Sequence, residues 1–464
     1  MSGSPEPVGG RSSGSGSRLR NAKVQVGDRI RASRIKVTHA MVALRQDRLY
    51  RTSVLLVADN LLLGVLGGLF YLIATRMWAP QSIGVVAAMS GALSLVVVAS
   101  TLGMPSTIVA YLASEPDQAL MVRGALLATI PTGVALLAVL WLIPGHLGVP
   151  LTRLGVSTPW AVVLTLVLVV SDLLAAVIDP AFLARQEVSW SVGKDLAAMA
   201  FRFSLLFILT TRGTAQYLEV AVYYVASSAF LDLILLRWRI GRSSRHDRSF
   251  GVALIRSRAR FAAGNQVAVL VSMLPTSLLP IIVLGHHGAS SAAFVTIPMT
   301  IFGALTVVPS RTAQSLFAEL SAHPEQLLEP IRKALRGAYL VTLPIAFLLI
   351  VAAPYLLDLF GRGYSSHGQN LLRWGAASSV FYCLNYVSDF VLLARKKVAA
   401  YLVANIVGTG FVLLSLLVAV DQGLGALGIG WFVGQGFYCA VSCIVLGWYV
   451  GRDDLLSTVR FMLR

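Results

Sequence analysis

Apolar runs of about twenty residues, the length that crosses a bilayer, recur along this chain from Val54 to Val450. They fall at 54–75, 83–104, 122–143, 159–180, 195–211, 216–236, 261–284, 290–310, 337–356, 370–393, 398–420 and 424–450. No water-soluble fold hides that much apolar surface: 56% of the residues are hydrophobic and only 13% are charged, too few to cover a globule. The expected fold is all-α, a polytopic membrane protein of about twelve transmembrane helices in two six-helix lobes around a central cavity. Pro275, Pro280, Pro298 and Pro309 predict kinks in the seventh and eighth runs.

The net charge of +17 is distributed as a membrane protein distributes it. With twelve spans and both termini inside, 32 of the 38 Lys and Arg residues fall on the cytoplasmic side. Five fall outside (Arg76, Arg153, Arg212, Arg362 and Arg373), and Arg202 lies within a span. A miscounted helix would scramble that ratio, and nucleic acid is not an expected partner. The resulting layout is a disordered and basic N-terminal segment (1–50), a first lobe (51–236), a basic linker (237–260), a second lobe (261–450) and a cytoplasmic tail (451–464). The N-terminal segment fits either a solvated arm or an interfacial helix on anionic lipid. Ala58-Asp59-Asn60 and Ala263-Gly264-Asn265 open the two lobes and hint at an internal duplication.

Polar residues inside the spans are the candidate site, because a charge facing mid-bilayer lipid costs about 2.5–3.5 kcal/mol. Asp59 and Asn60, Asp172, Arg202, Asn265 and Gln266, and Asn385 and Asp389 all lie in the cytoplasmic halves of their helices, as Asp232 does, which predicts a vestibule open to the cytoplasm. Helical spacing joins Asn60, Gly64, Gly67, Tyr71 and Thr75 on one face, Asn265, Ser272 and Thr276 on another, and Ser378, Tyr382, Asn385 and Asp389 on a third. Such stripes line a hydrated cavity or make close helix contacts. Asp172 and Arg202 sit at one depth on adjacent helices, either as a structural ion pair or as a phosphate grip.

No phosphate-binding Gly-rich loop with its Lys is present, so no nucleotide chemistry and no cofactor are expected. Cys383, Cys439 and Cys443 lie in apolar runs and read as packing residues, and His286 with His287 reads as a solvated turn.

Five stretches resemble the oligosaccharide flippases, the polysaccharide-transporter branch of the multidrug/oligosaccharidyl-lipid/polysaccharide (MOP) superfamily. Arg76 through Pro80 to Gly84, followed by Ser100-Thr101-Leu102-Gly103, is similar to the family's first hairpin. Phe360-Gly361-Arg362-Gly363-Tyr364, Leu392-Leu393-Ala394-Arg395-Lys396-Lys397 and Gly423-Leu424-Gly425-Ala426-Leu427-Gly428 follow the order of its last four helices. The resemblance implies two lobes that open alternately to either side, with a polyprenyl-pyrophosphate oligosaccharide as cargo in a bacterial cytoplasmic membrane. Membrane lipids, and glycan-assembly enzymes docked on the basic N-terminus, are the other expected partners. A cation-coupled drug exporter with Asp59 or Asp389 as ion site, and a non-transporting scaffold, are the alternatives.

Overall fold

The computed structural model describes residues 48–112, 115–142, 158–185, 187–211, 231–240, 259–322 and 327–450. Among them there is no β-strand. The first half contributes α1 (Arg48–Met77), α2 (Pro80–Ser100), α3 (Met104–Tyr111), α4 (Gln118–Leu142), α5 (Thr158–Ala184) and α6 (Val188–Thr211). After a short helical stretch ending in a π turn at Leu236–Ile240 come α7 (Ala259–His287), α8 (Ala289–Gly303) and α9 (Val307–Ala322). The remainder are α10 (Leu328–Asp358), α11 (Arg362–Ala377), α12 (Ser379–Ala394), α13 (Val398–Val420) and α14 (Leu424–Val450). The chain divides into two compact units, Met1–Asp59 and Asn60–Arg464; the first contributes only the opening turns of α1 to the described residues.

This is a multi-pass helical membrane protein. Eleven of the twelve expected runs are helical over most of their length, and the other, 216–236, lies outside the described residues except for its last turn. Among the described residues eight helices are long and apolar enough to cross a bilayer, nine if α11 and α12 form one span bent by 43° at Ser378. α6 is not among them; its 24 residues include Lys194, Asp195 and Arg202.

Two details depart from uninterrupted spans. α2 does not run to 104 but breaks at Leu102 and Gly103, both with positive φ. The eighth run is split by a 3₁₀ turn at Ala304–Thr306, between Pro298 and Pro309. α7, by contrast, stays one helix through Pro275 and Pro280. The main core runs through both halves: Ile83 and Leu93 of α2 and Leu173 of α5 share it with Leu279 of α7, Phe302 of α8 and Trp431 of α14.

α2 seats directly on α7 and α8 because two of its glycines remove side chains from the seam. A Cβ on Gly84 would lie 1.7 Å from the Ala289 carbonyl oxygen, and one on Gly91 would lie 2.3 Å from that of Ser277. Backbones approach this closely only where no side chain intervenes. At the opposite edge, Arg76 Nε donates to the Leu359 carbonyl at 2.8 Å, tying the end of α1 to the end of α10.

Candidate functional site

The second half holds a cavity of about 400 Å³ lined by both apolar and polar side chains, within the range of small-molecule sites. α7 supplies Ser272 and Thr276, α9 supplies Ser310, and α12 supplies Tyr382, Asn385, Tyr386 and Asp389. α13 adds Tyr401, Asn405 and Thr409, and α14 adds Trp431, Gln435 and Tyr438. Helical periodicity explains the α12 set: Tyr382, Asn385 and Asp389 are spaced three and four apart and so share one face.

At one end of the cavity Asp389 is held from two sides. Asn405 Nδ2 donates to its Oδ1 at 3.1 Å, and the Tyr438 hydroxyl lies 3.4 Å from its Oδ2. The same hydroxyl donates to Asn405 Oδ1 at 2.7 Å, closing a triangle of carboxylate, amide and phenol. Asn405 is itself fixed by a bond from Nδ2 to the Tyr401 carbonyl at 3.0 Å. Across the cavity Trp431 Nε1 donates to the Tyr382 hydroxyl at 2.7 Å, and Asn385 Nδ2 donates to Gln435 Oε1 at 3.4 Å.

One buried acceptor in the wall is left unmatched. Asn385 is 5% exposed and its Oδ1 has no hydrogen-bond partner. Asp389 has lone pairs beyond the two contacts it receives. No Lys or Arg is among the lining residues. A site of this kind binds ligands that donate hydrogen bonds or carry positive charge, and it disfavours a bare anion. The aromatic faces add stacking or cation–π surface.

A second polar cluster lies in the first half. Lys194 Nζ sits 2.6 Å from Asp179, 3.0 Å from Asp232 and 3.5 Å from Asp195, joining α5, α6 and the stretch before Leu236. The Lys194 and Asp232 side chains are 1% and 0% exposed. Ser191 adds a hydrogen bond to Asp179 at 2.9 Å. This knot pins three helices together, and its three carboxylates outnumber its one cation.

The residues expected from sequence are distributed unevenly. Asn385 and Asp389 meet in the cavity, joined by Ser272 and Thr276 of the α7 stripe. Gln266 is used differently from that expectation: its Oε1 accepts from the Gly103 N–H at 2.8 Å and the Thr101 hydroxyl at 3.1 Å, while its Nε2 donates to the Val98 carbonyl. The break after α2 exposes backbone groups that no helix satisfies, and the Gln266 amide serves them across the seam. Asp172 lies on an exposed face of α5 and is not among the lining residues. The side chains of Asp59, Asn60, Arg202 and Asn265 lie outside the described residues, although all four positions are helical, so the Asp172–Arg202 pairing lies outside them as well. His287 is no free turn residue: its Nε2 lies 2.6 Å from the Val420 carbonyl at the end of α13.

Sequence reasoning passed over Asn405, Gln435 and Tyr438 in the cavity and Lys194 in the knot. Tyr401, Asn405 and Thr409 repeat every four residues along α13, a stripe as regular as that of α12. Lys194 falls just outside the apolar run 195–211, whereas α6 begins at Val188.

Gly408 provides a local test of the triangle. A Cβ there would lie 2.1 Å from the Tyr438 ring, so Gly408→Ala is expected to swing the phenol away from Asn405. Loss of that bond predicts about a tenfold drop in transport with the protein still folded. Gly410→Ala, whose Cβ meets nothing within 4 Å, is the control. Equal transport by the two variants would show that the triangle is dispensable.

No protein-family model matches the sequence, and no curated protein does. Solved structures do. An inward-facing multidrug-resistance transporter of the MATE family, from the MOP superfamily, superposes with a TM-score of 0.60 at 14% identity, covering 88% of this chain and 96% of that one. The lipid II flippase MurJ in an inward closed conformation gives 0.61 at 11% identity, covering 89% and 88%. A MOP transporter from Pyrococcus furiosus, described as having a binding pocket of reversed polarity, gives 0.57 at 14% identity, covering 89% and 97%. The fold is therefore that of the MOP superfamily transporters. It is the fold that the sequence resemblance implied.

Proposed function

We propose that the protein translocates a lipid-linked glycan from the cytoplasmic to the outer leaflet of a bacterial cytoplasmic membrane by alternating access. The observation that carries this reading is the wall of the second-half cavity, where the unmatched Asn385 Oδ1 and the Asp389 carboxylate stand among tyrosines and Trp431. Hydroxyl donors and a stackable ring face are what a sugar presents to such a wall. A sugar headgroup does not cross hydrocarbon unaided, because each unmatched hydroxyl costs several kcal/mol in an apolar medium. The cavity replaces those lost water contacts while the polyprenyl tail stays in lipid. With the inside negative, each uncompensated negative charge carried outward gains about 2.3 kcal/mol per 100 mV. Both termini are cytoplasmic in this reading, and glycan-assembly enzymes are the partners it assigns to the basic N-terminal segment.

One observation favours a second reading. A single carboxylate ringed by phenols also suits an organic cation, as in a cation-coupled drug exporter with Asp389 as its ion site. Deleting the gene separates the two. The flippase reading expects loss of a surface glycan with unchanged susceptibility to cationic drugs, whereas increased drug susceptibility with a normal glycan would overturn it.

A further inference from the structure

We propose that Arg311 anchors the diphosphate of the lipid-linked cargo at the lip of the second-half cavity. The inference rests on the glycan-flippase reading and adds to it the place of the cargo's charge. The cavity itself is unsuited to an anion, since Asp389 stands inside it and no Lys or Arg is among its lining residues. The diphosphate of such a cargo is bonded directly to the first sugar. With that sugar inside, the diphosphate must lie immediately beyond the wall.

α9 places a cation at that spot. Ser310 is a wall residue and Arg311 follows it directly. Gln314 bridges the two: its Nε2 lies 3.4 Å from Ser310 Oγ, and its Oε1 accepts from Arg311 Nη1 at 2.9 Å. The guanidinium is thus two hydrogen bonds from the cavity wall. Arg311 is half-buried, and among the described residues it pairs with no carboxylate. Its bond to Gln314 occupies one of five N–H donors and orients the fork, leaving the others for phosphate oxygens. A guanidinium matches two phosphate oxygens at once, which an ammonium does not.

The test is equilibrium binding to the full chain in phosphatidylcholine nanodiscs. The probes are a short-chain polyprenyl-diphosphate disaccharide, the matching monophosphate, and inorganic pyrophosphate as competitor. The intact protein is expected to prefer the diphosphate lipid by about 10- to 100-fold, the range for hydrogen bonds to charged groups. Arg311→Gln is expected to abolish that preference by weakening the diphosphate lipid more than the monophosphate lipid, and Arg311→Lys to restore part of it. A preference that survives Arg311→Gln overturns the assignment. So does pyrophosphate competing as well as the lipid, which would give the site to soluble diphosphates. Equal binding of both lipids by the intact protein removes the anchor but leaves the flippase reading standing. Binding of neither lipid refutes that reading, and the anchor with it.

Discussion

Lys194→Ala is expected to lower stability by about 3–5 kcal/mol, the usual effect of removing one partner from a buried ion pair. The reason is Asp232. Its carboxylate is fully buried, and its ion pair is with Lys194 at 3.0 Å. Asp179 and Asp195 are partly exposed and recover some solvation when the ammonium is lost, but Asp232 does not. Removing charge from both partners should therefore be milder than removing one. Lys194→Met combined with Asp232→Leu is expected to regain most of the loss, because well-packed apolar replacements of buried pairs are often neutral. Thermal unfolding of the purified variants reads both effects. A Lys194→Ala protein as stable as the parent would show that the knot contributes nothing.

The second large effect is expected at the seam between α2 and the second half. Gly84→Ala would drive a methyl group to 1.7 Å from the Ala289 carbonyl oxygen, and Gly91→Ala would reach 2.3 Å from that of Ser277. Both neighbours are helix backbone, so relief requires α2 to move away from α7 or α8 as a unit. Overpacking of this kind costs about 1–3 kcal/mol at each position, against a small gain from replacing glycine within a helix. A larger substitution, Gly84→Leu, is expected to prevent the two halves from seating. Gly64→Leu on α1, where a Cβ meets nothing within 4 Å, should be tolerated. Folded yield and unfolding temperature compare these variants, and equal behaviour of Gly84→Leu and Gly64→Leu would contradict the seam.

The placement and order of the described spans were legible because each crossing needs a long apolar run, a signal that survives averaging over twenty residues. The breaks were not legible for the same reason: Leu102-Gly103 and Ser378 interrupt hydrogen bonding without interrupting hydropathy. Asn385 and Asp389 stood out as polar residues in apolar surroundings. Asn405 and Tyr438 did not, since a lone amide or phenol in a span carries no charge to explain, and their role appears only when α13 and α14 bring them to Asp389. Gln266 drew attention for the same reason as Asn385, yet its amide serves a neighbouring backbone break, which periodicity alone does not distinguish from a cavity wall.

The central claim is that the second-half cavity carries a lipid-linked glycan across the membrane. Its most direct test is translocation of a fluorescent polyprenyl-pyrophosphate oligosaccharide in proteoliposomes, comparing the intact protein with Asp389→Asn under an imposed inside-negative potential. The account predicts outward movement by the intact protein and at least a tenfold loss in Asp389→Asn, the scale of a missing hydrogen bond to a charged group. Movement of the glycan lipid at the same rate with and without the Asp389 carboxylate would contradict it.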